Sequence, residues 1–157
     1  MLVRKTTLED SQRIAQLYRD LALYHVSYHP TYRVKEHASE LALAAVRDKI
    51  EKSLSGEELL LVAQNGGVVG FLSCGINERK DPNYEIRKIG HIGGVYVVPE
   101  YRNQGAATAL LKEAMRWLKE RKVEYADLNV DVRNAAAITA WTAMGFKPHQ
   151  YNLIQKL

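Results

Sequence analysis

The sequence predicts an α/β domain with a mixed, mainly antiparallel central sheet flanked by helices. Three observations carry that expectation. The apolar runs Leu59-Leu60-Leu61-Val62-Ala63 and Val68-Val69-Gly70-Phe71-Leu72 flank Asn65-Gly66-Gly67, residues that tolerate positive φ and so close an antiparallel hairpin. Ala107, Leu110, Leu111, Ala114 and Leu118 recur at helical spacing, which gives one apolar face to a helix over about residues 104–121. The remaining segments fall in the order strand, two helices, three antiparallel strands, helix, strand, helix, strand. That order departs from the strict alternation of a doubly wound nucleotide-binding fold.

Each element has its own signal. Leu2-Val3-Arg4-Lys5 reads as a short strand, and Thr7 or Asp10 caps a helix whose apolar stripe is Ile14, Leu17, Tyr18 and Leu21. Residues 24–33 read as a loop rich in rings: Tyr24, His25, Tyr28, His29 and Tyr32. Helical periodicity resumes over residues 35–51. After the hairpin, residues 78–83 form a polar loop that turns at Asp81-Pro82. Residues 87–98 supply the next strand, which stops at Pro99 because proline lacks the N–H that a ladder needs. Residues 123–132 read as a strand, and Asn134 begins a short helix that runs to Met144 and stops at Gly145. Tyr151-Asn152-Leu153-Ile154 reads as a last strand. No repeat or linker interrupts the chain, so residues 1–157 form one domain.

Composition narrows the function classes. A chain of 157 residues with 46% apolar and 25% charged side chains supports one real core and argues against disorder. Cys74, in the run Gly70-Phe71-Leu72-Ser73-Cys74, has no intrachain partner and reads as a core or sheet residue. No stretch is long enough to span a bilayer, and the chain turns polar directly after Val3, unlike a signal peptide; a cytoplasmic location is the default expectation. The net charge of +4 is compatible with a polyanionic small ligand. The basic residues are scattered and mostly paired with acids, as in Lys112-Glu113 and Lys119-Glu120, so no nucleic-acid partner is expected.

The chemistry concentrates after the strand that ends at Pro99. Val95-Tyr96-Val97-Val98-Pro99 leads through Glu100-Tyr101-Arg102-Asn103-Gln104 into Gly105-Ala106-Ala107-Thr108. The first turn of a helix has unpartnered N–H groups and a favourable dipole for anions. Small residues there let a diphosphate approach the amides closely. Arg102 can add a charge-assisted contact and Thr108 a hydroxyl. The same residues also suit a plain strand-to-helix connection packed with small side chains. Neither a Walker A sequence nor a GxGxxG fingerprint is present.

The run Val97-x-Pro99-x-Tyr101-Arg102-x-x-Gly105-x-Ala107 resembles the acetyl-CoA-binding motif of the GNAT (Gcn5-related N-acetyltransferase) superfamily. A second block, Asn134-Ala135-Ala136-Ala137, Trp141 and Gly145-Phe146, is similar to that family's asparagine-led helix ending in Gly-Phe. The resemblance implies the acyl-CoA N-acyltransferase fold and acetyl transfer from acetyl-CoA to a primary amine, by direct attack in a ternary complex. It places the pyrophosphate on Arg102, Asn103, Gln104, Gly105, Ala106, Ala107 and Thr108, and the pantetheine arm against Val95, Tyr96, Val97 and Asn134. A backbone N–H near the centre of that strand would face the thioester oxygen. The alternative is a degenerate acyl-CoA-binding regulatory domain.

In two places the chain departs from the family pattern. Trp141 stands where many members carry a tyrosine acid; an indole N–H donates but does not transfer its proton, so Trp141 packs against the cofactor and Tyr151 or water protonates the thiolate, or the thiolate leaves as such. Gly93 and Gly94 stand where many members carry an acid, and glycines within a strand mark a bulge. An attacking amine must lose a proton. His91, read as sharing a strand face with Gly93, Val95 and Val97, is the candidate base, with Glu85 and Asp131 as alternatives. The rings of Tyr24, His25, Tyr28, His29 and Tyr32 suit the wall of a small-molecule or peptide amine site. His25 and His29 lack companions for a metal, and none is expected. A homodimer is compatible with such a domain.

Overall fold

The computed structural model describes residues 1–35 and 39–157, with every side chain except that of Ser39. The expected helix start at Lys35 leads into residues 36–38, which lie outside the described residues; helix is present from Ser39.

The hairpin forms as the turn residues dictate. Strand β2 (Leu59–Asn65) and strand β3 (Gly67–Glu78) flank Gly66, whose φ is 73°. Alternation in β2 sends Leu59, Leu61 and Ala63 to one face and Leu60 and Val62 to the other, all buried. A strand apolar on both faces belongs in the middle of a layered domain. Strand β1 (Leu2–Lys5) adds antiparallel to β2, and strand β4 (Lys88–Val97) antiparallel to β3. The short strand β5 (Tyr125–Leu128) lies parallel to β4, giving a sheet in the order β1-β2-β3-β4-β5.

Helices cover both faces. Helix α1 (Ser11–His25) and helix α2 (Ser39–Ser55) bury Ile14, Leu17, Val46 and Ile50 against Leu60, Val62 and Phe71. Asp10 is the N-cap of α1 but its side chain does not cap the helix: it accepts the Thr7 N–H at Oδ2 (2.8 Å), closing the 3-10 turn Leu8–Asp10 that precedes α1, and takes both terminal nitrogens of Arg4 at 2.8 and 2.9 Å. On the other face, helix α3 (Ala106–Glu120) buries Leu110, Leu111, Ala114, Trp117 and Leu118 against Leu61, Leu72 and Ile92. Helix α4 (Ala135–Ala143) sits on the same side through Trp141, with Met144 and Phe146 just past its end. Cys74 is buried in this layer, and burial pushes its thiol up to about 12.

Three expectations are corrected. Residues 151–154 form no strand: Tyr151, Leu153 and Ile154 are 86%, 90% and 66% exposed on an irregular tail. Strand propensity is weak without a ladder partner and a face to bury, and the tail has neither. The strand expected over residues 123–132 stops at Leu128. Beyond it, Asp131 accepts the Arg133 N–H at 2.9 Å and the Asn134 N–H donates to the Asp131 carbonyl at 2.9 Å, which turns the chain into α4. The third correction concerns β4. Val95 and Val97 pack on the α3 face, whereas His91 faces α1, because a bulge at Gly93 adds one residue between Ile92 and Gly94 and inverts the alternation.

Candidate active site

β4 is laddered to β3 as far as Val97 but to β5 only from Ile89 to Ile92. The sheet therefore forks. Past Ile92 the β5-side edge of Gly93, Gly94, Val95, Tyr96 and Val97 has no strand beside it among the described residues. Such an edge presents unpaired N–H and C=O groups to any extended chain of amides that enters the fork.

The start of α3 lies beyond the end of that edge. The chain leaves β4 through a 3-10 turn at Pro99–Tyr101, then passes Asn103 and Gly105 with left-handed φ of 59° and 81°. Gly105 is the N-cap, and no side chain caps the helix. The Ala109 N–H is bonded to the Gly105 carbonyl at 2.9 Å. The amides of Ala106, Ala107 and Thr108 therefore precede the first intrahelical bond and have no acceptor in their own helix. A Cβ built on Gly105 would meet nothing within 4 Å, so the approach is open. Amides without a helical acceptor at a positive helix end, beside an exposed glycine, fit a diphosphate.

The other cofactor-side residues are placed as follows. The Arg102 N–H donates to the Pro99 carbonyl at 3.2 Å and its Nε to the Val97 carbonyl at 2.9 Å. Its guanidinium lies 5.4 Å from both the Tyr24 and Tyr96 ring centres, a cation–π arrangement that ties β4 to the end of α1. Only its terminal nitrogens remain for an anion. Gln104 Nε2 donates to the Glu100 carbonyl at 2.9 Å, and Thr108 Oγ1 approaches Met144 Sδ at 3.9 Å, bringing α4 beside the start of α3. Asn134 is buried and caps α4, its Oδ1 accepting from Ala137 N–H at 3.1 Å; any bond it donates to a ligand comes from Nδ2. Trp141 stacks edge-on with Phe146 at 5.5 Å.

His91 stands where the fork begins, and the structure adds a partner that the sequence had not disclosed. His91 pairs in register with Asp127 of β5, and its Nδ1 lies 2.6 Å from Asp127 Oδ1. Gly75 is its register neighbour on β3. A Cβ at Gly93 would lie 3.9 Å from His91 Cδ2 and 3.2 Å from Ser73 Oγ. The imidazole thus has a carboxylate on one side and glycines around it. The only advance signal for Asp127 was a charged residue inside an otherwise mostly apolar strand.

The alternatives sit elsewhere. Glu85 lines a cleft of about 310 Å³ with Arg87, Lys88, Lys122 and Glu124, at the end of β4 opposite the fork. Asp131 accepts from Arg133 at 2.9 Å through both carboxylate oxygens, and these bonds and the Arg133 charge hold it down to about 2. A carboxyl so acidic is a poor acceptor for an amine proton. Tyr151 stands 86% exposed on the irregular tail.

The rings gather as a wall. His25 lies 6.0 Å from Tyr28 and 5.6 Å from Tyr32, and Tyr24 lies 5.8 Å from Tyr28. Burial lowers His25, with Asp131 opposing, and burial raises Tyr32, with Asp131 adding to it, so Asp131 borders this wall. His29 instead caps the turn at Pro30–Tyr32, its Nδ1 accepting from Thr31 N–H. Among the described residues, no His, Cys, Asp and Glu group is arranged for a metal, and no helix is long and apolar enough to cross a membrane.

The mixed five-stranded sheet, opened on one edge beside an uncapped helix start, has the architecture of an acyl-CoA N-acyltransferase fold. The chain belongs to the acetyltransferase (GNAT) family, whose model matches residues 14–146. It is 35% identical over 83 residues to an uncharacterised N-acetyltransferase of Methanocaldococcus jannaschii, covering 53% of this chain and only 36% of that protein. It is 30% identical to an aminoglycoside N(6')-acetyltransferase type 1 of Klebsiella aerogenes, covering 74% of each chain. An N-alpha-acetyltransferase of Sulfurisphaera tokodaii is 30% identical over 92% of this chain and 79% of its own. Among solved structures, AAC(6')-Iy bound to the bisubstrate analogue CoA-S-monomethyl-acetylneamine superposes with a TM-score of 0.78 at 15% identity, over 99% of this chain and 97% of that one.

Proposed function

We propose that this chain transfers the acetyl group of acetyl-CoA to a primary amine by direct attack in a ternary complex. The observation that carries the reading is the fork itself: an unladdered β4 edge past Ile92 leads toward the uncapped start of α3. When bound, acetyl-CoA supplies an activated thioester. The amides of Ala106, Ala107 and Thr108 hold its diphosphate, and the open edge of Val95, Tyr96 and Val97 pairs with the pantetheine amides. Asn134 Nδ2 donates to the same arm, and Trp141 borders it.

His91 is the base. Its Nε2 takes the proton that the amine loses as the C–N bond forms and the C–S bond gives its electron pair to the departing sulfur. The sulfur leaves as thiolate or is protonated by water. The acceptor amine enters along the wall of Tyr24, His25, Tyr28 and Tyr32, whose ring faces suit an alkylammonium before it is deprotonated. Small-molecule and peptide amines both fit such a wall, in keeping with relatives that are an aminoglycoside acetyltransferase and an N-alpha-acetyltransferase.

Thr108→Glu tests the cofactor site. A carboxylate in the first turn of a helix favours the fold through the dipole, yet repels a diphosphate placed there. Isothermal titration should show acetyl-CoA binding to the wild type and at least about tenfold weaker binding to the variant, following electrostatic contributions above ~1.4 kcal/mol, with melting unchanged. Equal binding by both would remove the diphosphate from α3. Thioester consumption across an amine panel separates an enzyme from a binding domain that keeps CoA without turnover.

A further inference from the structure

We infer that Asp127 is a positioning residue for the reaction: its carboxylate fixes the His91 imidazole as the Nδ1–H tautomer and leaves Nε2 as the acceptor facing the fork. The inference rests on the reading of His91 as base, and it adds a residue and an orientation to that reading.

The geometry comes first. His91 and Asp127 are register partners on parallel strands, in the second-last rung before β4 and β5 part. At 2.6 Å, the Nδ1···Oδ1 contact is a short hydrogen bond. An ionised carboxylate only accepts, so the hydrogen of a neutral imidazole bonded to it must sit on Nδ1. Nε2 then carries the lone pair. Nε2 is bonded to Cδ2, and Cδ2 is the atom that a Cβ at Gly93 would approach at 3.9 Å. The ring edge away from Asp127 is therefore the edge toward the bulge, where the sheet opens.

The surroundings reinforce this. The rung that holds His91 runs Gly75, His91, Asp127 across β3, β4 and β5, and a Cβ at Gly75 would lie 3.9 Å from Cγ of Glu58, the residue just before β2. Gly75 leaves no side chain between Glu58 and the imidazole, and Glu58 is itself engaged by Lys49 at 3.8 Å. Asp127 is thus the acid that meets the ring directly. The Asp127 side chain is 54% exposed and that of His91 29%, so as a mere surface pair they would contribute little to stability. A pair that stabilises so little but sets a tautomer at the opening of the fork acts on chemistry rather than on folding. An oriented histidine–carboxylate pair can matter by orders of magnitude in turnover, since the wrong tautomer cannot accept the proton.

The test uses the full chain with His91→Gln, Asp127→Asn, Asp127→Glu and the double variant His91→Gln/Asp127→Asn. Long-range imidazole ¹H–¹⁵N spectra of the free protein read the tautomer directly and need no substrate. The wild type should show a protonated Nδ1 and an acceptor-type Nε2 on His91, and Asp127→Asn should shift the population toward Nε2–H. In turnover, Asp127→Asn and His91→Gln should each lower kcat by about 10²–10⁴-fold, with KM for acetyl-CoA within about twofold. The double variant should be no worse than the lower single, as expected for groups that act as a unit. Asp127→Glu should recover part of the loss. A wild-type His91 with its proton on Nε2 overturns the inference whatever the activity. So does an Asp127→Asn enzyme at wild-type kcat beside an impaired His91→Gln enzyme. A wild type that consumes no thioester with any amine defeats the proposed function instead, and the spectra still decide the tautomer.

Discussion

β4 is one strand with two halves that behave differently. From Ile89 to Ile92 it is laddered on both sides, and Gly90 is roofed so closely by α3 that a Cβ there would come within 2.5 Å of Leu118 Cδ1. From Gly94 to Val97 it is laddered on one side only, and the unpaired bulge residue Gly93 stands exposed. A single inserted residue separates the halves. The bulge at Gly93 turns His91 and the following valines to opposite faces and bends the strand as its neighbour leaves. On the proposed reading the closed half serves stability and the open half serves ligand, and the cost of the open half is backbone groups left for water or a guest to satisfy.

The largest expected effect belongs to the closed half. Leu118 is 2% exposed and packs on Gly90. Leu118→Ala removes that contact and leaves a cavity, and should destabilise by about 2–5 kcal/mol in urea unfolding. Because the change acts on the half that holds no ligand, the folded variant should bind acetyl-CoA as the wild type does. A variant that melts normally but loses the cofactor would erase the division between the halves.

Gly93→Ala makes the opposite demand. Its Cβ would press on Ser73 Oγ at 3.2 Å and touch the His91 ring edge at 3.9 Å, in a backbone region that needs no positive φ. Stability should change by less than about 1 kcal/mol, since overpacking costs of about 1–3 kcal/mol apply to tight cores and this site is exposed. Turnover should fall at least about tenfold, because small misplacements of reacting groups carry large rate costs. Unchanged kcat with a normal melt would show that the space beside His91 is not used.

How much of this was legible beforehand follows the same division. The hairpin was readable because Asn65-Gly66-Gly67 is local turn chemistry, and α3 because its stripe repeats within the helix itself. Gly93 and Gly94 announced a bulge, but counting alternate residues through it put His91 on the face of Val95 and Val97, and the inserted residue overturned that count. Asp127 was missed because its meeting with His91 depends on the register between strands 36 residues apart. Arg102 read as a free cation in a loop; its tie to the Val97 carbonyl and to the rings of Tyr24 and Tyr96 is tertiary and carries no local signature. The tail shows the reverse error, in which a short apolar run had strand propensity and no partner.

The smallest expected effect lies beneath the open half. Tyr18 stacks on Phe71 with ring centres 4.2 Å apart, and Phe71 is the register neighbour of Tyr96. Burial pushes the Tyr18 hydroxyl up from 10.0 to about 12, with Ser73 opposing the shift. Between those values the unfolded chain loses this proton and the folded chain keeps it, so the folded state binds more protons and stability falls as pH rises. Below pH 10 the contribution is fully present, and it is lost on passing through about 12. Cys74 acts in the same direction, raised by burial from 9.0 to about 12. Tyr18→Phe should therefore change stability at neutral pH by less than about 1 kcal/mol, a near-isosteric swap in a packed layer. Urea midpoints measured from pH 9 to 12 should fall less steeply between pH 10 and 12 for the variant than for the wild type, with the Cys74 slope remaining. Identical slopes would mean that the Tyr18 hydroxyl reaches water through the fork. The open half would then extend through the strand into the layer beneath it, and the boundary between the two halves of β4 would have to be drawn deeper than the bulge.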